Sequence, residues 1–381
     1  MTVFTAKEVF ITGAFVRDGW IRVDDERIIG VGTDPPPDVT SLGDARIVPG
    51  YVDMHVHGGG GFGFGAGEQA AAAAAKFHLA CGTTSLIASL ATAALPELSE
   101  QARRLVPLVR DGTLAGIHLE GPFLNVARKG AHNPELLMPP DLGWLSSVID
   151  SCSTPSGACA IKMVTLAPEL PEGIPAIELV VERGVIAAIG HSDATYEQTV
   201  TAIAAGVTVG THLFNGMPPP HHRKPGPVVA LLRDPRVTVE LINDGVHIHP
   251  GIVAAVFEAV GSQRIAFVTD AIDATGMADG HYLLAGSKIV VKGGVARLED
   301  ADSLAGSTLT MDVSVRNAVR DGLAIEHAIV AATRSPARAL GLADRGELQE
   351  GHRADLAVLN QDLDVVKVMQ QGRWMEAVVS P

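Results

Sequence analysis

Apolar residues change their rhythm twice along this chain. Over residues 1 to about 48 they come in short bursts: Val9 and Ile11, then Ile21 and Val23, then Ile28, Ile29 and Val31. Asp, Gly and Arg turns separate them, and Pro35-Pro36-Pro37 interrupts the run. Bursts of this kind predict short strands. From Tyr51 the texture becomes apolar runs alternating with helical patterns. From Gly346 short strands return, over 354–359 and 365–369.

The middle stretch holds eight strand candidates. The first contains Asp53-Met54-His55-Val56-His57, and the others cover 82–87, 114–119, 160–166, 185–189, 207–211, 237–242 and 265–268. Helical patterns lie between most of them, such as the Ala-rich 68–81 and the 96–110 segment with its Leu98, Leu105, Val106 and Val109 face. Eight strand–helix units predict an α/β fold, a (β/α)8 TIM-like barrel. Strands at both ends predict a small β-sandwich domain built from the two chain termini. The expected domains are 1–48 and 346–381 for the two parts of the sandwich and 49–345 for the barrel. A hairpin over 282–298, turning at Lys292-Gly293-Gly294, and helices over 310–320 and 325–332 follow the last barrel strand.

At 381 residues the chain has ample core, and 47% apolar against 4% aromatic residues means a core of Ala, Val, Leu and Ile. The net charge of −14 argues against nucleic acid as the main partner. An anionic small substrate stays open, because a few cations can reverse the sign inside one pocket. Cys81, Cys152 and Cys159 form no CxxC, which points to a reducing cytoplasm rather than a disulfide framework. No signal-peptide core or membrane-length apolar run is expected.

Chemistry-bearing residues fall just after the strand candidates. His55 and His57 alternate onto one face of the first strand, where two imidazoles can grip a divalent metal. Gly58 to Gly61 is expected to leave that strand end uncrowded. Glu120 ends the third strand before Gly121-Pro122, and it could be a ligand or bridge two metals. His191, His212, Asp244 with His247, and Asp270 recur at later strand ends. Taken singly, each is more often a satisfied polar residue. Taken together, histidines and a glutamate on successive strand ends suit a one- or two-metal hydrolase. Asp270 could take a proton from a water and return it to a leaving group. His118 reads as a packed histidine rather than as a group supporting the ligands, and Lys162 as structural rather than as a carbamylated lysine bridging two metals. Arg223 belongs either to a solvated loop or to a bidentate phosphate contact.

These stretches resemble the N-acetylglucosamine-6-phosphate deacetylases of the metal-dependent amidohydrolase superfamily. The resemblance spans nearly the whole chain. It is carried by Pro49-Gly50-Tyr51-Val52-Asp53-Met54-His55-Val56-His57, His118-Leu119-Glu120-Gly121-Pro122-Phe123 and Lys129-Gly130-Ala131-His132. Gly190-His191-Ser192-Asp193-Ala194, Thr211-His212-Leu213-Phe214-Asn215-Gly216-Met217, Asp244-Gly245-Val246-His247 and Leu304-Ala305-Gly306-Ser307 continue it.

The resemblance implies that Glu120, His191 and His212 hold one divalent metal, and that His55 and His57 hold a second with Glu120 shared. Zinc is the expected ion, one or two per subunit. It further implies Asp270 as base and then acid, and His132 on the acetyl oxygen. Asn215, Gly216, Arg223, His247 and Leu304 would contact the sugar phosphate. Arg223 and His247 would reach across a homodimer interface. The implied reaction turns N-acetylglucosamine 6-phosphate into glucosamine 6-phosphate and acetate in amino-sugar catabolism and cell-wall recycling. The partner is thus a small amino-sugar phosphate, with no nucleic acid and no membrane. An amidohydrolase for another N-acyl sugar or a cyclic amide, or a non-catalytic metal-bound scaffold, are the alternatives.

Overall fold

Eight runs of apolar residues lie side by side in one parallel sheet. In the computed structural model, which describes residues 1–153, 157, 159–284 and 286–375, they are Tyr51–Val56, Thr83–Ala91, Gly116–Glu120, Ile161–Leu166, Ile186–Ile189, Val209–Gly210, Thr238–Ile242 and Ile265–Val268. Each pairs in parallel with the next in sequence. The last returns to the first through backbone bonds from Asp270 N–H to His55 O (2.8 Å) and from His57 and Gly58 N–H to Ala271 O (2.8 and 2.9 Å). The sheet is therefore a closed barrel with no exposed edge.

Strand alternation sorts the side chains. On the third strand Ile117 and Leu119 join the apolar cluster under the helices, while His118 and Glu120 meet the polar groups of the barrel interior. Lower in the interior, Ile87, Met163, Ala188, Val209, Ile242, Ala266 and Val268 share one buried cluster. Burying such a side chain contributes about 1.5–3 kcal/mol. The connecting helices are set by local chemistry. Tyr196–Ala204 begins where Thr195 Oγ1 accepts from Gln198 N–H (3.2 Å) and Gln198 Oε1 accepts from Thr195 N–H (2.8 Å). A cap of this kind stabilises a helix by about 1 kcal/mol.

Both chain ends build the sandwich. One sheet holds Thr2–Thr5, Trp20–Asp24, Arg27–Gly32 and Thr40–Ser41. In the other, Arg46–Pro49 lies between Glu8–Ile11 and Leu356–Leu359, with Ala14–Arg17 beyond the former and Val365–Gln370 and Arg373–Trp374 beyond the latter. Phe4, Ile21, Val23 and Ile28 of the first sheet share a core with Val9, Ile47, Leu356 and Met369 of the second. The chain crosses into the barrel at Gly50, where a Cβ would lie 2.1 Å from Thr84 Oγ1. Residues 376–381 of the expected C-terminal segment lie outside the described residues.

Two expectations change. The segment after the last barrel strand is a three-stranded antiparallel sheet, Gly280–Leu284, Ser287–Lys292 and Val295–Leu298, rather than one hairpin. Its expected turn is present, with Gly293 and Gly294 at φ 58° and 73°. The glycine run after His57 is crowded, not open. Gly58–Gly59 pairs with Phe62–Gly63, and a Cβ on Gly58 would lie 2.4 Å from Phe62 O. Glycine stands there because two backbones meet, not to leave room.

Candidate active site

The C-terminal ends of the barrel strands gather the expected residues around one cavity of about 420 Å³. His57, Glu120, His132, His191, His212 and Asp270 line it, with Asn215, Gly216, His247 and Leu304 further along the wall. His55 lies fully buried behind them. Arg223 is not among the lining residues. It sits in an exposed turn bridged by His221 and Lys224, its Nη1 2.6 Å from His222 Nε2. Lys162 lies near the start of the fourth strand, at the opposite end from the cavity.

His191, His212 and Asp270 each stand two residues past a barrel strand, and each adopts a left-handed backbone, at φ 47°, 26° and 48°. Residues with a Cβ hold that conformation at a cost of about 1–3 kcal/mol each. The bend turns each side chain inward over the barrel.

Glu120 is the hub. Its Oε1 lies 3.0 Å from His212 Nε2, 3.3 Å from His191 Nε2 and 3.5 Å from His55 Nε2. Its Oε2 lies 3.1 Å from His57 Nε2 and 3.6 Å from His132 Nε2. Asp270 Oδ1 is 3.3 Å from His57 Nε2 and 3.5 Å from His55 Nε2. Two pairs of imidazole nitrogens face each other, His55 with His57 at 3.2 Å and His191 with His212 at 3.1 Å. Two Nε2 atoms this close cannot both carry a proton, and with Glu120 beside them a shared cation satisfies all of these donors at once. The set of ring nitrogens and carboxylate oxygens therefore fits a divalent metal. His55, His57 and Glu120 could form one ligand group. Glu120, His132 and His191 could form another, and His212 Nε2 lies 3.0 Å from Glu120 Oε1 and 3.1 Å from His191 Nε2, within reach of the same ion.

The electrostatics follow from burial and charge. Burial lowers the affinity of His55 and His57 for a proton, but the carboxylates around them outweigh it. His55 is held well above its usual range by Glu120, Glu240 and Asp270, and His57 is raised to about 9 by Asp270 and Glu120. Burial pushes Glu120 and Asp270 up, yet the histidines hold both well below the carboxylate range. His132 is lowered to about 3 by burial and by neighbouring His191, so it stays neutral. Asp244 accepts from His247 Nδ1 at 2.7 Å and from its backbone N–H at 2.8 Å, which orients that ring.

Of the layer below, sequence reasoning weighed only His118. His118 is hydrogen-bonded on both nitrogens, to Ser89 Oγ (2.9 Å) and Thr165 Oγ1 (2.8 Å), and Thr165 continues to Thr211 at 2.9 Å. The packed reading of His118 thus becomes a hydrogen-bonded one. Asp53 accepts from the Thr269 hydroxyl at 2.6 Å and ties the first strand to the segment after the last. Glu240, buried in the seventh strand, accepts from His55 Nδ1. The signal for Glu240 was present in the sequence: a lone carboxylate inside the apolar run Val239-Glu240-Leu241-Ile242.

A model of the amidohydrolase family matches residues 46–375. The chain belongs to the amidohydrolase family. Within this family it is 45% identical to a mutant N-acetyl-D-glucosamine-6-phosphate deacetylase from Mycobacterium smegmatis solved in complex with N-acetyl-D-glucosamine-6-phosphate, with a TM-score of 0.94 over 98% of each chain. It is 35% identical to an N-acetylglucosamine-6-phosphate deacetylase of Lysinibacillus sphaericus, over 86% of this chain and 84% of that one. It is 34% identical to an N-acetylgalactosamine-6-phosphate deacetylase of Escherichia coli O157:H7, over 97% of this chain and 98% of that one. No helix of this amidohydrolase, among the described residues, is long and apolar enough to cross a membrane.

Proposed function

We propose that the protein is a metal-dependent deacetylase that hydrolyses the acetamide of N-acetylglucosamine 6-phosphate to glucosamine 6-phosphate and acetate. The observation that carries this reading is the convergence of four histidines, Glu120 and Asp270 at the mouth of a barrel whose relatives bear that name. Glu120, His191 and His212 would hold one divalent ion, which we take to be zinc, and His55 and His57 with Glu120 a second. Bound there, such an ion polarises a carbonyl and acidifies water.

The chain's own groups do the rest. Asp270 receives a proton from the attacking water at its carboxylate and passes it to the departing amine nitrogen. His132, neutral and buried, donates an N–H to the carbonyl oxygen as charge develops there. Asn215, Gly216, Leu304 and His247 hold the sugar along the cavity wall. Arg223, which does not line that wall, would meet the phosphate from the neighbouring subunit of a cytoplasmic homodimer, whereas His247, expected to reach across the same interface, lines the cavity of its own chain and contacts the sugar from there. We assign the barrel to 49–345 and the sandwich to the segments on either side.

The test is acetate release from N-acetylglucosamine 6-phosphate, from its galactosamine epimer and from the unphosphorylated sugar, by protein of known metal content. Release from the glucosamine phosphate that is lost on chelation and restored by Zn²⁺ supports the proposal. Preference for the epimer, the substrate named for the Escherichia coli relative, would move the substrate. No release from metal-loaded protein would overturn it.

A further inference from the structure

Glu240 occupies an inward position on the seventh barrel strand, Thr238–Ile242, and is fully buried. Its neighbours Val239 and Leu241 join the apolar cluster under the helices. Interior positions of such barrels are ordinarily filled by bulky apolar residues. A carboxylate in their place has to be compensated by donors, because burying an uncompensated charge is strongly unfavourable.

The donors identify its role. Glu240 Oε2 accepts from His55 Nδ1 at 3.0 Å and from the His212 backbone N–H at 3.0 Å. These two histidines belong to different halves of the site. His55 faces His57, and His212 faces His191. One carboxylate thus anchors one member of each facing pair from below. A carboxylate only accepts, so the proton on His55 lies at Nδ1, and Nε2 is the nitrogen turned to Glu120 and Asp270. Two buried polar atoms beside this contact have no partner, Glu240 Oε1 and His212 Nδ1. They belong to the two residues that the His212 N–H to Oε2 bond already joins. The carboxylate is absent from the cavity wall, so it does not compete for substrate.

We propose that Glu240 is a positioning residue that couples the two halves of the metal site. It sets which nitrogen His55 presents, holds the backbone bend that carries His212, and adds a negative charge beneath both pairs. The proposal rests on reading the cluster as a divalent-metal site. A carboxylate behind a ligating histidine typically changes metal affinity by about 10–100-fold.

The experiment strips the full-length protein with a chelator and titrates it with Zn²⁺ against a chromophoric competitor. Visible absorption of the Co²⁺ form is recorded in parallel. Wild type is compared with Glu240→Gln, His55→Gln and the double variant. The expected result is Zn²⁺ binding weakened about 10–100-fold in Glu240→Gln with a changed Co²⁺ spectrum, while the apo proteins melt alike. The double variant should bind Zn²⁺ more weakly than His55→Gln alone, but by less than the full Glu240 effect, because the part that acts through His55 is already lost. Should Glu240→Gln not fold, Glu240→Asp, which keeps the charge and withdraws it, must show the same weakening. Wild-type affinity and spectrum in a folded Glu240 variant would overturn the proposal while leaving the metal reading intact. Failure of the wild type to bind either ion would overturn both.

Discussion

In the sandwich, Ile21, Ile28, Ile47 and Leu356 meet across two sheets, with Arg46 and Glu8 paired at its margin and one buried ion pair, Arg353 with Asp355. At the barrel mouth, equally buried positions hold His55, His118, Glu120, Thr165 and Glu240. Both regions exclude water, but burial does opposite work in them. In the sandwich each buried apolar side chain stabilises the fold directly. At the mouth each polar group costs desolvation, which only its neighbours' hydrogen bonds offset, and three left-handed residues add strain. Stability and chemistry are therefore separable by location, and substitutions should sort accordingly.

The sharpest break of that contrast is Asp270→Asn. Turnover should fall on the order of 10²–10⁴-fold while melting temperature and metal content stay near wild type. Near-normal acetate release would remove Asp270 from the chemistry. Ile28→Ala, in the sandwich, should do the reverse: urea unfolding should show a loss of about 2–5 kcal/mol, with kcat unchanged at a temperature where the protein stays folded. A fall in kcat there would mean that the two regions are coupled.

Arg223→Ala tests whether the mouth extends across subunits. A lost charge-assisted contact is worth about 1.5–3 kcal/mol, so kcat/KM for the phosphorylated sugar should drop roughly 10–100-fold. The unphosphorylated sugar should be little affected. Equal losses on both would argue against a phosphate role.

The smallest effect concerns His78, fully buried with Nε2 2.8 Å from Gly58 O. Burial lowers it to about 4 from 6.5. Between those values the unfolded chain binds a proton that the folded chain refuses. Stability should therefore fall as pH drops through that window, by about 2 kcal/mol at pH 5 from this residue. His78→Gln should flatten that part of the stability–pH curve, measured by urea unfolding from pH 7 to 5. An unchanged slope would show that His78 is not the group responsible.

Much of this was legible from residue order. Periodicity located all eight barrel strands, because an apolar run between turns is a local signal. The offset of His191, His212 and Asp270 from those strands was legible too, and so was the recurrence of ligand-type residues at strand ends. The partners of Glu240 and Asp53 were not, since a carboxylate inside an apolar run does not say which distant histidine or threonine it will meet. Nor was the crowding at Gly58, which arises when the hairpin of Phe62–Gly63 folds back on it.

The sequence by itself determined the barrel, the sandwich at the termini and the residue types that converge on the rim. Each depends on spacing between near neighbours in the chain. Only the tertiary structure decided that Glu120 stands between two pairs of histidines, that Glu240 supports one member of each, and that Arg223 does not line the cavity. Those facts join residues from different strands and loops. Closure of the barrel, not the pattern of any one segment, sets the distances between them.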